Sequence, residues 1–350
     1  MDLKLRTAMV TAPQYQVRVP TTRVVLVAPG RSGSTLLQSA ILASCDSLTF
    51  FEPCLYSRRG DVRSAKCVAQ VLRFLECRLP VSGDDMWDPP NLRGWLQHPY
   101  KDANSSCAPP PFFSVAQTKL ACETARLVLV KEIRLVGQLS QLAGVLTRRQ
   151  IAWQRAARGM PSTTAVVHLV RDPRLVLASQ RRLHWFRFQN TTAKRAKRAA
   201  AMEMRRVARR LCQGMVADAR AGLQMRHHGG VRYIPVHYEA LVSNLHATTA
   251  RLYGELGVPL PRETMDWLNR TMQGHCSHSV ASGNDSASRK EYEYSTCRKA
   301  DQMAPRRSRW KSKMPTHEQR ALLMECRDAL GWFGYTSEGG CRWAGCTEHS

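Results

Sequence analysis

The run TRVVLVA (Thr22–Ala28) leads through Pro29 and Gly30 into STLLQSAILAS (Ser34–Ser44). Consecutive β-branched and aliphatic residues, apolar at odd and even positions alike, suit a strand buried on both faces. The segment after the turn has helical apolar spacing, with Ser34 or Thr35 near its start. A doubly buried strand feeding a helix requires a parallel sheet covered by helices on both sides. The same pattern recurs in LVLVKEI (127–133), in AVVHLV (165–170) and in VRYIPV (231–236). AVVHLV stops at Arg171-Asp172-Pro173, and Pro173 fits the first turn of the helix RLVLASQRRL. VRYIPV is followed by EALVSNLHATTARLYGEL, read as one helix, which ends at Gly257-Val258-Pro259. The expected fold is α/β, a three-layer sandwich around a mostly parallel central sheet.

The turn itself, APGRSGST, is P-loop-like. A strand that enters a Gly-rich turn and a helix aims backbone N–H groups at an anion. Gly30 and Gly33 let the chain turn tightly, and Ser32, Ser34 and Thr35 add hydroxyl donors. The lysine of a nucleotide P-loop, just before its last Ser/Thr, is absent, and Arg31 stands near the start instead. A second strand end has similar chemistry. Arg171 closes one strand, and Ser179 lies eight residues on, about two helical turns away. Ligands of parallel α/β sheets sit beyond the carboxyl ends of strands, so two such ends can hold two phosphates of one nucleotide. A purely structural alternative reads Arg171 and Asp172 as a local ion pair at the helix start.

Charge and cysteine set the context. Lys plus Arg number 52 against 27 Asp plus Glu, leaving a net +25, a field that attracts polyanions. Twelve Cys are dispersed without the paired spacing of a zinc site. That usage suits an oxidising compartment, the alternative being buried free thiols, with Cys45 and Cys122 as examples. Four of the six Asn open an N-x-[ST] sequon: Asn104, Asn190, Asn269 and Asn284. Residues 1–22 contain no apolar run long enough for a signal peptide or anchor, so a luminal placement expects an anchor that this sequence does not contain.

Residues 23–336 read as one domain, preceded by a segment over 1–22 and followed by a Cys-containing tail over 337–350. Two irregular insertions interrupt it, near 78–113 and 273–304. Cys77 and Cys107 are the candidate staple of the first, and Cys276 and Cys297 of the second. Residues 181–210 hold eleven Lys or Arg against the single acid Glu203. Such a run is either a solvated helix face or a track for a polyanionic substrate, and the missing counter-charge favours the track.

APGRSGSTLL, FFEP, VVHLVRDPRLVLAS and ARLYGELG together resemble the Golgi carbohydrate 6-O-sulfotransferases. The resemblance covers roughly 23–56, 127–139, 165–183, 231–258 and 305–335. It implies transfer of a sulfuryl group from 3′-phosphoadenosine 5′-phosphosulfate (PAPS), without a metal, to a sugar hydroxyl. The 6-hydroxyl of Gal, GalNAc or GlcNAc in a glycosaminoglycan or related glycan is the implied acceptor. Gly30 and Arg31 through Thr35 resemble the 5′-phosphosulfate loop, and Arg171 and Ser179 the 3′-phosphate pair. RRSRWKSKMP (306–315) resembles the C-terminal segment over the nucleotide, with Arg307 and Ser308 as its contacts. The implied location is the Golgi lumen, with secretion as the alternative. The implied partner is an anionic glycan rather than nucleic acid, with membrane contact only through an anchor. HYEALV (237–242) departs from the family's Arg-Tyr-Glu-Asp-Leu pattern, which discounts that segment as part of the site.

Charge assigns the roles. Arg31 is expected to neutralise the departing phosphate. Lys131, at the end of the second predicted strand, and Arg134 are further cations, the alternative being an exposed Lys and a surface Arg. Glu52, within FFEP, is expected to act as general base, its pKa raised by apolar neighbours. His168 lies inside an apolar run and reads as a core histidine. Two other functions remain in contention. A P-loop kinase expects a loop lysine and an Mg²⁺-holding Asp. A non-enzymatic binder of nucleic acid or heparin-like chains accounts for the charge but leaves the paired phosphate motifs unexplained.

Overall fold

The computed structural model describes residues 21–44, 46–56, 65–79, 115–156, 163–185, 194–273 and 309–336. Five strands form one sheet: β1 (Thr22–Val27), β2 (Ser47–Phe51), β3 (Leu127–Glu132), β4 (Thr163–Val170) and β5 (Val231–His237). All pairings are parallel, in the order β2-β3-β1-β4-β5, with Val27 opposite both Glu132 and His168. The three-layer parallel expectation holds. β2, SLTFF, is an edge strand that the sequence reading did not identify, and Pro235 is tolerated because β5 is the other edge.

Period-2 alternation divides the core. Val25, Val27, Val128, Val130, Leu48 and Phe50 face one side. There they pack against α2 (Ala65–Leu75), α4 (Leu139–Ala156) and the last turns of α6 (Lys194–His228). Cys122 of α3 (Val115–Thr124) joins that side. Val24, Leu26, Leu129, Ala165 and Val167 face the other. They meet α1 (Ser34–Leu42), α8 (Leu245–Leu256) and α9 (Arg262–Gln273). The helix read over 239–256 is in fact two. α7 (Tyr238–Ser243) stops at Asn244, whose side chain accepts the Ala247 N–H and starts α8, because Asn competes for backbone groups inside a helix.

A third cluster stands on the carboxyl end of the sheet. Val170 and α5 (Pro173–Arg182) pack there with α6, α11 (Thr316–Glu325), α12 (Arg327–Trp332) and Trp310 of the short α10 (Arg309–Ser312). A disulfide, Cys212–Cys326, ties α6 to the end of α11. Cys54–Cys67 joins the turn after β2 to α2. Cys77 pairs with Cys122, not with Cys107, and Cys122 is therefore no free thiol. The turn after α2 and the last turn of α3 bring these two Cα atoms to 5.6 Å, within bridging range. Cys45, Cys107, Cys276, Cys297, Cys341 and Cys346 lie outside the described residues, as do Asn104, Asn190 and Asn284. Asn269 is exposed on α9, where its Oδ1 accepts a hydrogen bond from His246 Nε2 at 2.8 Å. Among the described residues no helix is long and apolar enough to cross a membrane.

Candidate functional site

The sheet reverses its winding around β1, and the loops after β1 and β4 meet there, where parallel sheets place their ligands. The β1 loop turns through two left-handed residues, Arg31 at φ 74° and Gly33 at φ 90°. For arginine that conformation costs about 1–2 kcal/mol, strain that is concentrated at sites where backbone must be aimed. Arg171 Nη1 donates to the Arg31 carbonyl at 2.8 Å, and Arg31 Nε donates to Ser179 Oγ at 3.3 Å. Gln180 Nε2 donates to the Gly30 carbonyl at 2.8 Å. Five contacting residues from two motifs about 140 positions apart thus form one cluster that includes two arginines.

Its interior suits an anion. Ser32 Oγ is fully buried without a hydrogen-bond partner, and Arg171 Nε is likewise buried and unpartnered. Buried polar atoms left open in this way need an explanation, and a bound oxyanion supplies one. Gly33 caps α1 without any side-chain hydrogen bond, and the first turn holds no acid, so the helix end stays open to a negative group. Ser34 and Thr35 begin α1, Ser34 buried and Thr35 half-buried.

Both loop glycines are sterically required. A Cβ on Gly33 would lie 2.3 Å from the Tyr238 ring, and one on Gly30 would lie 2.5 Å from the Trp185 ring. Gly33→Ala is therefore expected to cost about 2–4 kcal/mol in denaturant unfolding, from strain plus overpacking. It should weaken anion binding at the same time, and an unchanged unfolding midpoint would count against the described loop.

The elements behind Arg171 are well fixed. Asp172 caps α5 through the Arg174 N–H at 2.9 Å and pairs with the buried Arg174 guanidinium, Nη2 to Oδ2 at 2.7 Å. The local Arg171–Asp172 ion pair is thus not formed, because Arg174 takes the carboxylate. Arg171 lies 4.1 Å over the Tyr238 ring, and Glu239 accepts the Asp172 N–H at 3.0 Å and the Tyr335 hydroxyl at 3.0 Å. Burial raises the Glu239 carboxyl above its ordinary value, with the Asp172 N–H and the Arg171 charge opposing. Tyr238 and Glu239 belong to HYEALV, which departure from the family pattern had discounted. The structure puts the segment against the loop.

A second group stands on the β3 side. Lys131 is fully buried, not solvent-exposed, and its Nζ donates to Glu52 Oε1 at 3.0 Å and to Thr35 Oγ1 at 3.2 Å. The ammonium also lies 3.7 Å from the Phe51 ring centroid. Arg134 Nη1 donates to Glu52 Oε2 at 2.8 Å, and Glu132 Oε1 accepts the Ile133 and Arg134 N–H groups at 3.0 Å each. Glu52 is left-handed at φ 47°, directly after the missed strand β2. Burial pushes its carboxyl up, as expected, but the Lys131 and Arg134 cations outweigh that and hold it below the ordinary range. The expected raised pKa is not found. Burial pulls the Lys131 ammonium down, with the Glu52 charge resisting.

His168 is a core residue, Nδ1 2.8 Å from the Tyr233 hydroxyl, and burial lowers its pKa to about 4, with His237 adding to the shift. Cys54, Cys67 and Glu132 lie in metal-like proximity, but both sulfurs are in a disulfide. Arg307 and Ser308 lie outside the described residues.

Residues 160–262, from just before β4 to the start of α9, match the family model described as Sulfotransferase family. That span contains Arg171, Ser179, Tyr238 and Glu239. No curated protein matches the chain. Among solved structures, the sulfotransferase domain of the Synechococcus PCC 7002 olefin synthase is 16% identical with a TM-score of 0.47, covering 93% of this chain and 99% of that one. The retinol dehydratase complex with androsterone and inactive cofactor PAP is 13% identical at 0.42, covering 88% and 80%. The sulfotransferase domain from the curacin biosynthetic pathway is 14% identical at 0.42, covering 88% and 98%.

Proposed function

We propose that the chain transfers a sulfuryl group from PAPS to a sugar hydroxyl, the 6-hydroxyl of a Gal, GalNAc or GlcNAc unit in an anionic glycan. One observation supports this most. Arg171 grips the Arg31 carbonyl while Arg31 reaches Ser179, joining two anion-facing strand ends around the unpartnered Ser32 hydroxyl. The family match over 160–262 supports sulfuryl transfer as the reaction and includes one of the two ends.

In this reading the β1 loop holds the 5′-phosphosulfate, and Arg171 with Ser179 holds the 3′-phosphate. The acceptor oxygen bonds to sulfur as the bond from sulfur to the bridging oxygen breaks, and adenosine 3′,5′-bisphosphate departs. Arg31, Lys131 and the α1 N–H groups neutralise charge gathering on the departing phosphate, as fixed cations do in phosphoryl transfer. The hydroxyl proton passes to Glu52, one ammonium away from Thr35. Glu52 is ionised and so able to accept it.

Three disulfides among the described residues support an oxidising compartment, for which we propose the Golgi lumen. Titration calorimetry tests the donor assignment. Adenosine 3′,5′-bisphosphate is expected to bind with micromolar or better affinity in excess EDTA, and Arg171→Ala to weaken it at least about tenfold. Binding of ATP only with Mg²⁺ would indicate a kinase, and binding of neither nucleotide would leave a polyanion-binding protein.

A further inference from the structure

We propose that the solvent face of α6 is a docking track for an anionic polysaccharide chain, on the same side of the sheet as the donor site. The proposal deepens the acceptor assignment above, but its measurement does not depend on turnover.

At 100° per residue, Arg195, Arg198, Arg205, Arg206, Arg209 and Arg210 fall within one stripe about 140° wide. All six are exposed, and from Arg195 to Arg210 the stripe is about 22 Å long. The opposite face, with Met204, Val207, Ala208, Cys212 and Met215, is buried in the third core cluster, so packing fixes which way the arginines point. A groove of about 440 Å³ runs between the side chains of Met202, four of these arginines and Gln213.

Counter-charge is scarce. Glu203 pairs with Arg206 at 2.6 Å, and Glu325 of α11 pairs with Arg209 at 2.8 Å. Arg195, Arg198 and Arg210 have no carboxylate partner among the described residues, and Arg205 acts on Glu325 only through space. Some exposed cations elsewhere are locally matched, as in Lys119–Glu123, Arg126–Asp46 and Arg251–Glu255. The four arginines left without a carboxylate pair repel one another, and an aligned polyanion relieves that repulsion while releasing its own counterions.

The helix overshoots the sheet in one direction. Asp218 accepts the Gly137 and Leu139 N–H groups at 2.7 and 2.8 Å, just past the carboxyl end of β3. Gly222 then meets the Tyr233 ring, and the chain enters β5 at Val231. Everything before Asp218 therefore stands beyond the carboxyl edge, the edge of Arg31, Arg171 and Glu52. A long chain lying on this stripe can reach the donor loop, which a short glycan cannot do while bound there.

The disulfides and the bare stripe favour a polysaccharide over a nucleic acid. Disulfide-rich chains mature where nucleic acid is not a partner, and the stripe offers no aromatic side chain for stacking a base.

The test is a full-chain triple variant, Arg198→Ala/Arg205→Ala/Arg210→Ala, beside its Lys counterpart. Alanine favours helix, and no carboxylate pair is broken. Affinities are measured for long chondroitin sulfate, its disaccharide, a 30-nucleotide DNA strand and adenosine 3′,5′-bisphosphate. The alanine variant should bind the long chain at least about tenfold more weakly at 0.15 M salt, with a shallower salt dependence. The lysine variant should lie near wild type, and bisphosphate affinity should not move. Equal long-chain affinity for the alanine variant and wild type, or no wild-type binding of the chain, overturns the proposal. So does DNA binding that is tighter than chain binding and lost with the same arginines. Loss of wild-type bisphosphate binding alone would sink the sulfotransferase reading and leave this surface standing.

Discussion

Arg31→Ala is expected to lower kcat/KM for sulfuryl transfer by about a thousandfold or more, with little change in stability. Fixed donors aimed at developing charge are worth about a hundred- to a thousandfold each, and an arginine at a transferring phosphoryl group about a thousandfold upwards. The Arg31 side chain helps link the two anion-facing ends, through Ser179, while its own carbonyl is held by Arg171. Its side chain is only half-buried and completes no apolar cluster, so an unfolding midpoint within a few degrees of wild type is expected. Arg31→Lys should recover part of the loss, because charge survives while the planar fork does not. The bisphosphate product should still bind the alanine variant within about tenfold, since its 3′-phosphate is assigned to Arg171 and Ser179. A fully active alanine variant would remove the loop from the chemistry.

The loop and the β4 end were readable because their chemistry is local. A doubly apolar strand, two glycines and a run of hydroxyls sit within fourteen positions, and Arg171 and Ser179 sit within nine. What escaped depended on distance or on competition. SLTFF is short and on the sheet edge, so its apolar pattern resembles a loop entry, yet it delivers Glu52 opposite Lys131. Gln180 gives no sequence signal of its role, because its bond to the Gly30 carbonyl spans 150 positions. Burial alone predicted a raised Glu52 pKa. Two cations, Lys131 on β3 and Arg134 just past its end, 79 and 82 positions away, reversed the sign, and no reading of FFEP in isolation contains them. Tyr238 was discounted for its surrounding pattern, although its ring fills the space that Gly33 leaves. Cys77 had several partners within loop reach, and only the packing of α2 on α3 selects Cys122.

The Glu52–Lys131 pair separates folding from chemistry. Its side chains are 8% and 2% exposed, so Glu52→Gln leaves a buried ammonium without its carboxylate. Breaking one half of a buried pair costs about 3–5 kcal/mol, whereas removing both halves is often close to neutral. Glu52→Gln is therefore expected to lower unfolding free energy by that amount and turnover by about a hundredfold or more. In Glu52→Gln/Lys131→Met most of the stability should return, because no unpaired charge remains beside Phe51. Activity should not return, since the proposed proton acceptor and the β3 cation are both gone. Acid unfolding gives an independent check. A carboxyl held below its ordinary value of 4.5 contributes stability above that pH and loses it as the pH falls through the depressed value. Wild type should show this acid-limb loss, and the double variant should lack the part due to Glu52. Recovery of turnover along with stability would make the pair a structural clamp and move the proton acceptor elsewhere. Near-normal turnover in Glu52→Gln alone would do the same for Glu52 by itself. Low turnover in a restored fold is the result that the arrangement of Thr35, Lys131 and Glu52 predicts.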